Sequence, residues 1–92
     1  MNIVINKCFG GFSLSGTACK MLNCDPYDFS DPSTRSNPEL IGCVTLLGEE
    51  ASGECAKLEI VSIPDTATDW EIEEYDGYET LIYIVDGKIY RG

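Results

Sequence analysis

A chain of 92 residues with 16 Asp and Glu against 6 Lys and Arg, a formal charge of −10 and no histidine reads as one small acidic domain. That balance argues against direct binding of a nucleic-acid backbone, whose phosphates are contacted by Lys and Arg. The hydrophobic fraction of 43% is too high for disorder, and no apolar run approaches the ~20 residues of a membrane span. The first residues lack the charged-then-apolar pattern of a secretion signal, so a cytosolic location with no membrane partner is expected.

Residues 2–9 read as the first strand, in which Ile3, Val4 and Ile5 are contiguous and β-branched, as in a strand covered on both faces. Gly10-Gly11 ends it. Ser13 or Ser15 caps a short helix whose apolar side holds Ala18, Met21 and Leu22, and Asn23-Cys24-Asp25-Pro26 stops it. Residues 24–37 carry turn chemistry throughout, with Tyr27 and Phe29 expected to pin the loop to the body. Asn37 as cap, Pro38 at the first helical position and Glu39 in the first turn announce the second helix. Its stripe is Leu40, Ile41, Val44, Leu47 and Gly48. Gly48 is read as an allowance for close approach to a sheet, and Ser52-Gly53 as the end of the helix.

The remainder is β. Cys55 to Ile63 alternates, with Ala56, Leu58 and Ile60 on one face and Lys57, Glu59 and Val61 on the other, and Pro64-Asp65 ends the run. Trp70 to Tyr75 alternates with Trp70 and Ile72 inward. Asp76-Gly77 and Asp86-Gly87 are hairpin signals, so Tyr78 to Val85 and Lys88 to Arg91 complete a meander. The expected fold is a single α+β domain over residues 1–92. Its order is β-α-α-β-β-β-β, with two helices packed on one face of a mainly antiparallel sheet.

The stretches Ile3-Val4-Ile5-Asn6, Cys8-Phe9-Gly10-Gly11-Phe12-Ser13-Leu14-Ser15, Asn37-Pro38-Glu39-Leu40, Leu47-Gly48-Glu49, Ala56-Lys57-Leu58, Ile63-Pro64-Asp65 and Trp70-Glu71-Ile72-Glu73-Glu74-Tyr75-Asp76-Gly77 together resemble a family of small, largely uncharacterised proteins of tailed phages and prophages. The N-terminal motif is the most specific part. The chain departs from the family in a shorter segment between its helices and in ending Ile89-Tyr90-Arg91-Gly92, where relatives carry a longer basic tail. The resemblance implies a viral accessory protein acting in the host bacterial cytoplasm.

Without histidine there is no Ser-His or Cys-His pair, and Cys8 after the first strand reads as a core thiol, so no enzyme is expected. The five cysteines (Cys8, Cys19, Cys24, Cys43 and Cys55) are odd in number and form no C-x-x-C, which reads as reduced, half-buried thiols. Cys19 and Cys24 could reach one metal, but nothing specifies the other ligands, so no metal and no cofactor are expected.

Two surfaces remain. At the glycine turn, amides of Gly10, Gly11 and Phe12 beside a helix start can hold a phosphate, with Phe9 or Phe12 stacked on a base and Arg35 or Lys7 adding charge. The plainer reading is a tight turn whose phenylalanines fill the core. The second surface is charge. Between Glu49 and Glu79 lie eleven acidic residues and one base, Lys57, and Asp69, Glu71, Glu73, Glu74, Tyr75, Asp76 and Glu79 form a strip there. Residues two apart on a strand are separated by ~6.5–7 Å, a spacing similar to that of phosphates along a nucleic-acid strand.

The leading expectation is a counter-defence protein that blocks the basic nucleic-acid groove of a host complex, such as a CRISPR effector or restriction enzyme. One alternative is sequestration of a nucleotide second messenger through Gly10-Gly11. Another is a structural or assembly subunit whose edge strand 88–91 pairs with itself, giving a homo-oligomer, or with a virion protein.

Overall fold

In the computed structural model, which describes residues 1–92, the run Ile3-Val4-Ile5 is fully buried and faces two cores at once. It lies in β1 (Asn2–Asn6). The chain continues through α1 (Gly16–Leu22), α2 (Pro38–Leu47), β2 (Leu58–Ser62), β3 (Ala67–Tyr75), β4 (Tyr78–Val85) and β5 (Lys88–Arg91). Val4 packs with Phe12, Leu14, Ala18, Leu40, Val44 and Leu58 on the helical side. Ile3 and Ile5 pack with Ile63 and Leu81 on the other, against Trp70 and Ile72 of β3. Three layers follow: helices, the pair β1–β2, and the meander β3–β4–β5, with every strand pair antiparallel.

The α+β class and element order agree with the sequence, while the β layer divides into a two-stranded and a three-stranded sheet. Both Asp-Gly pairs make tight hairpins with positive φ at each residue, 50° and 88° at Asp76-Gly77 and 51° and 77° at Asp86-Gly87. Ser15 caps α1 by accepting the Ala18 amide, and Asn37 caps α2 by accepting the Glu39 amide.

Five local expectations are corrected. The first strand ends at Asn6 rather than residue 9, because the Asn6 side chain turns the chain, as described below. Met21 and Tyr27 are exposed, and the helical side is filled instead by Ala18 with Cys19 and Leu22, while of the two loop aromatics only Phe29 packs against the body. Helix α2 ends at Leu47, since Gly48 at φ 59° breaks the helical path. A Cβ at Gly48 would meet nothing within 4 Å, so that glycine serves backbone conformation and not close approach.

The decisive feature is the edge of β1 that β2 does not cover. The Val4 amide donates to the Arg35 carbonyl at 2.9 Å, and Arg35 Nη1 donates to the Val4 carbonyl at 3.1 Å. The Asn6 amide donates to Glu79 Oε1 at 2.7 Å. Arg35 and Glu79 are joined by a bidentate ion pair of 2.6 and 2.7 Å and are 1% and 6% exposed. An ion pair from two distant segments thus stands where a neighbouring strand would run. Arg35 is delivered by a 3-10 turn, Pro32–Thr34, capped by the Asp31 carboxylate through the Ser33 amide and hydroxyl.

Removing one partner of this pair leaves a buried charge uncompensated, so Arg35→Met or Glu79→Gln is expected to cost about 3–5 kcal/mol in urea unfolding. The apolar double variant R35M/E79L is expected to stay destabilised, because the pair also serves backbone groups of Val4, Asn6, Phe29 and Ser30 that would lose their partners. Full recovery in the double variant would contradict that account. Hydrogen bonds from Ser33 hold the Asp31 carboxyl below its ordinary 3.8. The cap therefore contributes at neutral pH and is lost as pH falls through that lowered value. D31A should be less stable than the parent at pH 7 and converge with it in strong acid.

Candidate functional site

The glycine turn is built from Asn6 outward. The buried Asn6 side chain donates to the carbonyls of Cys8 and Gly77, both at 2.7 Å, and accepts the Lys57 amide at 2.8 Å. It therefore fastens the turn to the β3–β4 hairpin and to the approach to β2. A Cβ on Gly10 would lie 2.1 Å from the Cys55 carbonyl oxygen, and one on Gly77 would lie 2.3 Å from the Gly11 nitrogen. Gly10 and Gly77 are thus points where backbone segments meet, and Gly11 itself turns at φ 90°.

Two residues expected to grip a nucleotide there are withdrawn. Phe12 is buried in the helical core beneath the Arg35 guanidinium, whose Cζ lies 3.9 Å from the ring centroid. Arg35 spends all five N–H donors on Phe29 O, Ser30 O, Val4 O and both Glu79 carboxylate oxygens. It has no donor left for a phosphate. Phe9 is 65% exposed, with its ring 5.2 Å from that of Tyr78.

The acidic strip is assembled by strand parity. On β3, Trp70 and Ile72 pack inward, and Asp69, Glu71, Glu73 and Tyr75 are exposed on the alternate positions. Their β4 partners are Ile84, Ile82, Thr80 and Tyr78 in that order, and Ile84 and Ile82 pair in turn with Ile89 and Arg91 of β5. Asp69, Trp70, Glu71, Ile82, Ile84 and Ile89 line an open depression of about 280 Å³. Arg91 Nη1 lies 3.1 Å from Glu73 Oε1, both side chains being more than half exposed.

Glu79 is the correction on this surface. It shares the inward parity of Leu81 and Tyr83, and its carboxylate lies in the interior against Arg35 and Asn6. Asp76 is exposed within the hairpin turn, and Glu74, opposite Glu79 in the ladder, accepts the Gly77 amide at 2.5 Å. The exposed row is accordingly Asp69, Glu71, Glu73 and Tyr75, with Glu74 and Asp76 at the turn. The acidic strip expected from the sequence does not include the isoleucines of the outer face. Their signal was a β4 apolar on both parities, Leu81 and Tyr83 inward with Ile82 and Ile84 outward.

All five cysteines are free thiols, and no group of three or more His, Cys, Asp or Glu side chains is placed to hold a metal ion. No helix is long and apolar enough to cross a membrane. Comparison with known proteins finds no matching family, curated protein or solved structure.

The cysteines differ in environment. Burial, with Cys19 beside it, pushes the Cys24 thiol up to about 11. Burial also raises Cys43, whereas Cys55 is exposed rather than half-buried. Because the thiolate is the reacting form, an alkylating reagent at neutral pH is expected to modify Cys55 first and Cys24 and Cys43 last, as read by peptide mass spectrometry. Labelling of Cys43 ahead of Cys55 would contradict this packing.

Proposed function

We propose that the protein is a phage accessory protein of the counter-defence kind, acting in the host bacterial cytoplasm by binding and not by catalysis. Its acidic meander face occupies the basic nucleic-acid groove of a host antiviral complex such as a CRISPR effector or restriction enzyme. The observation that carries this reading is the exposed row Asp69, Glu71 and Glu73 on one face of the nine-residue strand β3. Side chains two apart there stand ~6.5–7 Å from one another, so the row can replace phosphates along a cationic groove. The formal charge of −10 favours encounter with a basic partner and disfavours direct contact with nucleic acid. The likeness of the N-terminal motif to phage and prophage proteins supplies the viral setting. The nucleotide-sequestering alternative is the weaker of the two, since Arg35 and Phe12 are used inside the fold.

The test is competition. A purified effector or restriction enzyme is mixed with its labelled target DNA and increasing amounts of the protein. Blocking of DNA binding is expected to weaken as salt rises, because exposed charges are screened over about 10 Å at 0.1 M. Glu71 and Glu73 are exposed, so E71K/E73K should fold normally and block at least about tenfold less well at low salt. Unchanged blocking by the double reversal would contradict the proposal.

A further inference from the structure

We infer that the outer face of the meander recognises an extended basic polypeptide segment bearing an apolar side chain at each end, about 20 Å apart. This rests on the acidic-face reading above and adds to it the shape of what is bound. Three surfaces share one side of one sheet. At one end Ile82, Ile84 and Ile89 floor the depression, with Asp69 and Glu71 on its rim. Glu71 and Glu73 occupy the middle. At the other end Tyr75 pairs with Tyr78 across the hairpin, and Phe9 reaches the Tyr78 ring from the glycine turn. Asp69 to Tyr75 is six strand steps, about 20 Å.

The fold itself makes little use of these groups. Ile82, Ile84 and Ile89 belong to neither core cluster, while Ile89 and Tyr75 are 67% and 73% exposed. The depression, about 280 Å³, is open to solvent and not an enclosing cleft. It suits one anchoring side chain of a larger partner. A second copy of this chain is a poor occupant, because it would bring carboxylates against a molecule of equal charge −10. A segment containing Lys or Arg meets both demands, its aliphatic stems lying on the isoleucines and its cationic ends reaching the carboxylates. Arg91 tempers the middle of the row, since it already contacts Glu73 and competes there with an incoming cation.

The full chain is titrated with the peptides LTKTKTF, STKTKTS and LTETETF. Binding is followed by amide chemical shifts and by the emission of Trp70, the single tryptophan, which borders the depression while packing against the inner core behind it. In an extended LTKTKTF the Leu, both Lys and the Phe fall on one side. It is expected to bind at least about tenfold more tightly than STKTKTS, with shifts on the outer face, and LTETETF is expected not to bind. I89T alters an exposed side chain and should weaken LTKTKTF but not STKTKTS, while R91Q should strengthen both. Equal affinity for LTKTKTF and STKTKTS, shifts elsewhere, or no binding of LTKTKTF overturns the inference and leaves the charge-based reading standing. Binding of STKTKTS unmoved by E71K/E73K contradicts that underlying reading instead.

Discussion

The ion pair between Arg35 and Glu79 is the contact on which the three layers depend. β1 is covered on both faces and paired with β2 along one edge. Its other edge would expose the polar groups of Val4 and Asn6 inside the protein, where an unpaired backbone group is costly. Arg35 and Glu79 fill that edge with a carbonyl, a guanidinium and a carboxylate. No backbone ladder between β1 and β4 is then needed, which is why the β layer separates into two sheets. A buried ion pair is weak evidence of stability in general. Here it also completes backbone hydrogen bonding, and every buried side-chain polar atom in the structure has a partner.

That same pair decides what the outside of the molecule presents. With Glu79 turned inward to meet Arg35, strand alternation sends Leu81 and Tyr83 inward with it and turns Ile82 and Ile84 to the outer face. The Glu79 carboxylate, expected on the surface strip, is consumed by the interior, and isoleucines stand beside the carboxylates that remain. An acidic row next to an apolar floor is a different surface from a plain row of charge. In the proposed binding role it would let part of the affinity survive salt, since burial of apolar side chains is not screened.

Much of the fold was legible in the residues because local chemistry and tertiary packing agree. Asn37-Pro38-Glu39 starts α2, the two Asp-Gly pairs turn the meander, and the unbroken Ile3-Val4-Ile5 marks a strand buried on both faces. At three buried polar residues a long-range partner overrides the local signal. Arg35 lies in a turn-rich loop and looks like a free cation, yet its carboxylate partner is 44 positions away. Asn6 follows an apolar run with no sign that its amide would bridge the glycine turn and the hairpin at Gly77. Glu79 was decipherable in part, since its parity with Leu81 and Tyr83 points inward, but an acidic neighbourhood masked it. The outward positions Glu71, Glu73 and Tyr75 were legible by alternation alone, whereas Asp69 lies before the expected strand, next to a register shift.

The division between a sealed interior pair and an exposed acidic face is tested most directly by native-state hydrogen exchange, read amide by amide. The amides of Val4 and Asn6, bonded to the Arg35 carbonyl and the Glu79 carboxylate, should exchange only with global unfolding, as slowly as those of Ile3 and Ile5 in the β1–β2 pairing. Fast exchange at Val4 and Asn6 beside slow exchange at Ile3 and Ile5 would contradict the account. It would mean that this edge opens in the native protein and that Glu79 is free to join the surface.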